Sequence, residues 1–309
     1  MKEAYQFNCW MYLSRRAAAA VLALSFFSTS LLAGADTGSP SSVWVISSGE
    51  QKVYLGGTVH LLRPSDFPLP EQYETAYQDA DKLYFETDIS GMSDMGTQAR
   101  MLQRLTYQDE RTLRSVLNEE AYSALASHLE TVGLPIAMLQ KFKPGLLIST
   151  LTVIEMQKMG FSPQGVDAFF NTRARDDGKA VGQLESIDDQ IGFLEAMGEG
   201  DESEFILLSL QDLEKAEMLE QMIDAWRIGD NDKLVALFID DMKERSNDLY
   251  QNILVSRNNH WLPMMEAMFS QQGTEFVLVG AAHLVGEDGL LQLLAGKGYT
   301  VSRLQGASE

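Results

Sequence analysis

The chain has 309 residues, a formal net charge of −20 at pH 7, an apolar fraction of 45% and one cysteine. Phosphate backbones are bound by clustered Lys and Arg, and no basic run here exceeds Arg15-Arg16, so nucleic-acid binding is disfavoured. The apolar fraction and the 22% of charged residues exclude wholesale disorder and a fibrous chain, and the single cysteine excludes a disulfide framework.

Residues 1–35 have the pattern of a cleaved export signal. Arg15-Arg16 precede an uncharged apolar run over residues 17–32, and Ala33-Gly34-Ala35 supplies the small residues that export peptidases recognise. The run is shorter than the roughly 20 residues of a spanning helix, which favours cleavage over an uncleaved anchor. We therefore expect a periplasmic or other cell-envelope protein, without a membrane span after cleavage. The general secretory and twin-arginine routes both stay open.

The predicted signal segment carries a net charge of +2 and contains Cys9. Its removal would leave a chain of net charge −22 without a thiol, so a cysteine nucleophile or thiolate metal ligand is excluded for the exported form. A flexible lead over residues 36–42 and one domain over residues 43–305 are then expected.

Runs rich in β-branched and aromatic residues predict strands, and apolar residues three or four apart predict helices. Strands are expected at residues 43–47, 52–55, 82–86, 179–184, 275–279 and 299–304. Helices are expected at residues 71–80, 97–130, 136–160, 165–175, 187–248 with breaks at 198–200 and 229–230, 258–271 and 290–294. Strands at both ends and in the middle predict an α/β (α+β) fold with a central mixed sheet, long helices and a helical insertion.

Two histidines lie in matching local contexts. His60 falls in KVYLGGTVHLL and His283 in EFVLVGAAHLV, each an apolar strand followed by Gly-x-x-His and Leu. We expect Gly57 and Gly280 to let the backbone turn sharply where each strand leaves the sheet. Each histidine would then lie at the sheet end where α/β proteins bind ligands. One such motif is usually a chance histidine after a turn, but the repeated context favours two half-sites of one site.

Two other predicted strands end in a carboxylate, at Glu86 and Glu185. A buried carboxylate needs a partner, because desolvating it alone costs several kcal/mol. A divalent cation held by His60, His283 and one or both glutamates would supply that partner. This mixed nitrogen and oxygen set suits Mn, Co, Zn or Fe(II) without favouring one. Such an ion could activate a water for hydrolysis, and the second glutamate could orient that water or move its proton.

Structural roles are equally open for the two glutamates. Glu86 could be the ion-pair partner of Arg257 or of Lys141. Glu185 begins the segment Glu185-Ser186-Ile187-Asp188, which also resembles the start of a helix.

The order and spacing of these segments resemble the TraB/GumN family, which is related to the Tiki metalloproteases. The residues that carry the resemblance are GTVH, the glutamate of YFETD, GVDAFF, GQLES, Arg257-Asn258 and GAAHL. Together they cover essentially all of residues 43–304. The wider superfamily includes erythromycin-esterase-like enzymes and a haem-binding iron-uptake lipoprotein.

The resemblance implies an α/β fold whose cleft is lined by His60, Glu86 and His283 as metal ligands and catalytic residues. It also implies a metal-dependent hydrolase with peptide bonds as substrate. Arg257 and Asn258 are expected beside these residues.

Arg257 would suit an oxyanion or a substrate carboxylate, because a guanidinium offers paired donors. Asp167, in GVDAFF, could pair with Arg257 or cap its own helix.

Two other functions also use the same residue types. One is a non-catalytic binder of haem or metal in the cell envelope, and the other is a metal-independent esterase acting on a small molecule.

Overall fold

The computed structural model describes residues 41–213 and 215–306. The predicted signal peptide lies outside these described residues, as do residues 36–40 of the predicted lead. Ser41 and Ser42, at the end of that lead, are buried, and the Ser42 carbonyl accepts a hydrogen bond from the Gly57 N–H at 2.7 Å. The packed structure therefore already includes them. Within the described residues, no helix is both long and apolar enough to cross a membrane.

Six strands form one mixed sheet, which confirms the predicted α/β class. The strands are β1 Val43–Ser48, β2 Gln51–Thr58, β3 Lys82–Phe85, β4 Ala180–Gln183, β5 Glu275–Gly280 and β6 Thr300–Arg303. Their order across the sheet is β4-β3-β5-β2-β1-β6. The first four in this order are parallel, whereas β1 pairs antiparallel with β2 and with β6. The two strands predicted at residues 43–47 and 52–55 therefore form an antiparallel hairpin.

The helices lie between the strands in four groups. The first and last groups have one helix each, α1 Glu71–Asp79 before β3 and α14 Leu290–Gly296 before β6. Between β3 and β4 lie α2 Met95–Arg104, α3 Leu113–Val116, α4 Glu119–Thr131, α5 Pro144–Lys158 and α6 Val166–Asp176. Between β4 and β5 lie α7 Ile187–Ala196, α8 Glu202–Leu213, α9 Ala216–Ile228, α10 Asn231–Leu234, α11 Asp241–Arg245, α12 Asn247–Tyr250 and α13 Ser256–Met268.

Shorter helical turns complete the chain. Single 3-10 turns occur at Pro64–Asp66, Gly91–Ser93, Ile136–Leu139 and Ala281–His283. π-helical turns occur at Val235–Asp240 and Gln251–Val255.

Residues 97–130, predicted as one helical stretch, form three helices instead. Two of them begin at caps inside the stretch: the Thr112 hydroxyl accepts from the Ser115 N–H, and the Asn118 side chain accepts from the Ala121 N–H. Such caps satisfy N–H groups that have no partner within the helix, so they fix where a helix starts. The apolar spacing continues across both caps, which is why spacing alone predicted a single stretch.

The buried apolar side chains form two clusters. The main core surrounds the sheet and includes Tyr73 and Trp226. The second cluster, here called the insertion core, lies between α4, α5 and α8 around Leu125, Leu151 and Ile206. It corresponds to the predicted helical insertion.

The motif glycines serve close packing more than sharp turning. β2 continues through Gly57 to Thr58, and Gly280 is the last residue of β5. A Cβ on Gly57 would lie 3.2 Å from the Ala281 Cα and 3.2 Å from the Ser42 Cβ. The predicted turn at Gly57 is therefore wrong, and the glycine instead allows a close approach, because a side chain there would force neighbouring segments to move.

A closer approach than at Gly57 occurs at Gly165, directly before α6. A Cβ there would lie 2.2 Å from the Val59 carbonyl oxygen and 2.3 Å from the His60 carbonyl carbon. The Val166 N–H also donates to the Val59 carbonyl at 3.0 Å. The start of α6 is thus held against the backbone that carries His60.

We expect Gly165→Ala to lower the free energy of unfolding by about 1–3 kcal/mol, because the added methyl overlaps backbone that has no space to move. Gly296→Ala, at the end of α14, is the matched control, since no atom lies within 4 Å of a methyl at that position. Urea unfolding of both variants measures the difference. Equal stability of the two variants would contradict this account of Gly165.

Candidate functional site

Four strand ends meet at one edge of the sheet. In sheet order, β4, β3, β5 and β2 are followed by Glu185, Glu86, His283 and His60. Because these strands are parallel, their carboxyl ends lie on the same side, where ligands bind in open α/β sheets. The two Gly-x-x-His motifs are neighbours, since β2 pairs directly with β5.

Arg257, the second residue of α13, joins the two glutamates. Its Nη2 donates to Glu86 Oε2 at 2.5 Å and to Glu185 Oε1 at 2.6 Å, and its Nε donates to Glu185 Oε2 at 3.1 Å. The Arg257, Glu86 and Glu185 side chains are only 8%, 12% and 2% exposed. The ion pair between Glu86 and Arg257 is thus confirmed, whereas Lys141 donates to two backbone carbonyls elsewhere.

Glu185 is surrounded by donors. Besides Arg257, Gln190 Nε2 donates to its Oε1 at 2.7 Å and Trp261 Nε1 donates to its Oε2 at 2.9 Å. Ser186, the next residue, caps α7, so the predicted helix start is also confirmed. With four donors on its two oxygens, Glu185 positions Arg257 and has little remaining capacity to bind another group.

His283 is held as one tautomer. Asn258 Nδ2 donates to the His283 and Asp288 carbonyls at 3.1 and 2.8 Å, so Asn258 Oδ1 faces His283 Nδ1 at 2.7 Å. An amide oxygen only accepts, so Nδ1 carries the hydrogen and Nε2 carries the lone pair. That lone pair accepts a hydrogen bond from Arg257 Nη1 at 3.1 Å.

Aromatic rings enclose the guanidinium. The Arg257 Cζ lies 4.7 Å from the centroid of the Trp261 ring and 5.1 Å from that of Phe193. Arg257 and Trp261 are four residues apart on α13 and therefore share a face. The π-helical turn Gln251–Val255 directly precedes α13, and such turns often occur at functional sites.

Burial and charge shift the pKa values of this cluster. Burial is the largest single effect on the pKa of Glu86 and would raise it, but the Arg257 guanidinium, the two nearby histidines and the Gly280 N–H, 2.7 Å from Glu86 Oε1, together outweigh burial. The Glu86 pKa is therefore below its usual range. Burial lowers the pKa of His283 to about 3, against the attraction of Glu86, so its ring is neutral at physiological pH. With two carboxylates on one guanidinium, the buried cluster has an excess of one negative charge.

His60 lies at the same edge and pairs with Asp167 of α6. His60 Nδ1 and Asp167 Oδ2 are 3.0 Å apart, and the His60 side chain is 63% exposed. The Asp167 carboxylate raises the pKa of His60 to about 9. Asp167 therefore pairs with the histidine, and not with Arg257 as one sequence alternative had it. No hydrogen bond within the described part of the chain joins His60 to the Arg257 cluster.

The sequence predicted most of these residues but not their connections. Glu86, Glu185, Arg257, Asn258 and His283 form one hydrogen-bonded network, as described above. Trp261 and Phe193 were not predicted as site residues. The signal for Trp261 was its four-residue spacing from Arg257, whereas nothing near Phe193 in the sequence distinguishes it from an ordinary helix residue.

The side chains at this edge are of types that bind divalent metals, although Arg257 already engages two of them, His283 and Glu86. Among the described residues, no three His, Cys, Asp or Glu side chains are grouped as a metal site. His60 and His283 nevertheless each engage Nδ1 with a side-chain oxygen, the orientation typical of histidines that bind metal through Nε2. The Nε2 lone pair of His283 serves Arg257 at present, so that hydrogen bond and a metal at His283 exclude each other.

A comparison with protein families gives one match. The model described as the TraB/PrgY/gumN family matches residues 42–303, a span that includes all six strands and the whole Arg257 cluster. No curated protein and no solved structure gives a significant match.

Removing Arg257 should leave two buried carboxylates without their cation. We expect Arg257→Met to lower the free energy of unfolding by about 3–5 kcal/mol, as breakage of a buried ion pair does. Adding Glu86→Gln to Arg257→Met should recover part of this loss, because it removes one unpaired charge. Urea unfolding at neutral pH measures both effects.

Arg114→Met is the matched control, since Arg114 pairs with Glu119 on the surface. Water screens such exposed pairs, so the unfolding midpoint should not move. If Arg257→Met and Arg114→Met unfolded at the same urea concentration, the buried pair would not be the structural centre of the site.

Proposed function

The chain belongs to the TraB/PrgY/gumN family, and on this premise we propose that it is a metal-dependent hydrolase of peptide bonds in the cell envelope. His60, His283 and Glu86 would hold the ion. Peptide bonds are proposed because of the resemblance to the Tiki metalloproteases. The export signal proposed for residues 1–35 gives the location.

The matched orientation of the two histidines carries this proposal. Asp167 holds the Nδ1 of His60, and Asn258 holds the Nδ1 of His283. Two imidazoles at adjacent strand ends would present Nε2 to one ion once the ion has displaced the second proton of His60 and Arg257 has released His283. Outer partners of this kind fix the tautomer of a ligating histidine, and their loss typically weakens metal binding.

The two glutamates are suited to different roles. Glu86 has a pKa below its usual range, because Arg257, the nearby histidines and the Gly280 N–H together outweigh the effect of burial. An ionised carboxylate of low basicity suits a metal ligand better than a general base, whose pKa should lie near the working pH. Glu185 is occupied by four donors and serves as a positioning residue for Arg257.

The charge of the buried cluster also favours a cation. Glu86 and Glu185 share one guanidinium, and His283 is neutral, so an excess of one negative charge remains. A divalent ion, when bound, supplies Lewis-acid activation of water or of the scissile carbonyl. The chain itself supplies a fixed set of donors and buries Arg257 beside the rings of Trp261 and Phe193.

We expect the purified protein to bind one Mn, Co or Zn ion, measured by mass spectrometry of metal content, and to cleave members of a peptide library in its presence. His60→Ala and His283→Ala should abolish both. Asp167→Asn and Asn258→Leu should retain the ligands and lower metal affinity by about 10–100-fold, because each changes the partner of a histidine Nδ1.

His260→Ala is the control, since His260 is an exposed histidine on α13. It should leave metal content and cleavage unchanged. Cleavage that resists chelators would instead indicate a metal-independent esterase or peptidase. Absorbance changes on haem titration, lost in the His60 and His283 variants, would indicate a haem binder and contradict the hydrolase.

A further inference from the structure

A large cleft separates the insertion core from the main core. Its volume is about 910 Å³, and its walls are α7, α8 and the segment from Arg245 to Ser256. Phe205 on one wall packs against the insertion core, and Ile253 on the opposite wall packs against the main core. Concave sites between two packed units are where proteins commonly bind ligands.

The floor of this cleft is apolar, and its side chains are partly exposed to solvent. Phe193, Phe205, Leu208, Leu249 and Ile253 line it, and each is partly exposed. These side chains come from three separate helical segments, so their exposure is concentrated in one concave surface. A ligand with apolar side chains would bury them.

Two residues of the cleft also contact the candidate site. The Phe193 ring lies against the Arg257 guanidinium at 5.1 Å, and the Ile253 carbonyl accepts from Arg257 Nη1 at 3.4 Å. The cleft therefore ends at the wall that encloses Arg257. A chain bound along the cleft would reach the edge of the sheet where the histidines lie.

The cleft is strongly acidic. Seven Asp or Glu residues line it, against two arginines. Both arginines are already paired, Arg104 with Glu195 at 2.9 Å and Arg245 with Asp212 at 2.6 Å. Four of the acidic residues are exposed and have no ion pair within the described residues: Glu199, Asp201, Glu204 and Asp248.

We propose that this cleft binds a cationic, amphipathic peptide segment, with apolar side chains on the floor and Lys or Arg at the acidic rim. The proposal rests on the hydrolase function proposed above, because it names the class of peptide that this hydrolase would take. A single metal ion would leave the apolar floor uncovered, and an acidic peptide would be repelled by the unpaired carboxylates.

The test uses two fluorescent peptides that share their Leu and Phe positions and differ only in Lys against Glu at the charged positions. Binding to the full chain is measured by anisotropy, in the presence of a chelator, at low and at moderate salt. The Lys peptide should bind at least about tenfold more tightly than the Glu peptide, and salt should weaken it. Equal affinity for the two peptides, or no binding of either, would overturn the proposal.

The variant Asp201→Asn with Glu204→Gln should weaken binding of the Lys peptide by about fivefold or more and reduce its salt dependence. The matched control, Glu110→Gln with Glu130→Gln, removes the same charge from exposed positions outside the cleft and should change affinity by less than about twofold. An equal loss in both variants would mean that only net charge matters, and would overturn the proposal.

Blocking the floor gives an independent test. Ala196 lines the cleft and is exposed, so Ala196→Trp should fill the space without disturbing a core, and should abolish binding of the Lys peptide while thermal unfolding stays unchanged. Binding by a stably folded Ala196→Trp variant as tight as that of the wild type would overturn the cleft as the binding site.

Different results would reject the hydrolase proposal and the peptide-binding proposal. Tight binding of the Lys peptide without cleavage in any metal would reject the hydrolase and leave the cleft as a peptide-binding site. Metal-dependent cleavage that does not respond to the cleft variants would reject the cleft and leave the hydrolase.

Discussion

One buried guanidinium holds the carboxyl edge of the sheet together. Glu86 follows β3 and Glu185 follows β4, and neither carboxylate can be buried alone without a penalty of several kcal/mol. Arg257 removes that penalty for both, because its Nη2 reaches one oxygen of each. The position of α13 over the sheet is therefore set by charge pairing as well as by packing of Trp261. Three segments distant in the sequence are fixed by one side chain.

The same guanidinium determines the state of His283. Adjacent residues of α13 engage both nitrogens of this ring: Asn258 holds Nδ1, and Arg257 donates to Nε2. All three Arg257 nitrogens are engaged, which leaves none for the substrate contact expected from the sequence. Arg257 could contact a substrate only if Nε2 of His283 bound another partner, because an N–H of Arg257 Nη1 would then be free. Ligand binding at His283 and substrate contact by Arg257 are thus coupled through one hydrogen bond.

The local sequence predicted the strand ends but not the order in which they meet. The repeated Gly-x-x-His context and the glutamates after apolar runs are local patterns, so they could be recognised without a fold. Which strands are neighbours depends on pairing between distant segments, and local patterns carry no information about it. Glu86 and Glu185 look alike in the sequence and share Arg257, yet Glu185 accepts only from side chains, whereas Glu86 also accepts from the Gly280 N–H at the end of β5. The role of Gly57 could not be predicted from local sequence for the same reason. A side chain at this position is disfavoured by Ser42 and Ala281, which belong to separate segments brought close only by the fold.

The acidity of the chain has two different consequences in the fold. In the buried cluster, an excess of one negative charge is surrounded by protein, so a cation that compensated it would have to be small enough to enter between ordered donors. In the cleft, the unpaired carboxylates are in water, where a single ion gains little binding free energy because salt screens its attraction to them. A cationic peptide gains binding free energy in the cleft, because its apolar side chains cover Phe205, Leu249 and their neighbours while its charges stay near the rim. The two regions share Phe193 as a wall, so a chain that occupies the cleft lies against the residues that enclose Arg257 and does not enter the charged cluster itself.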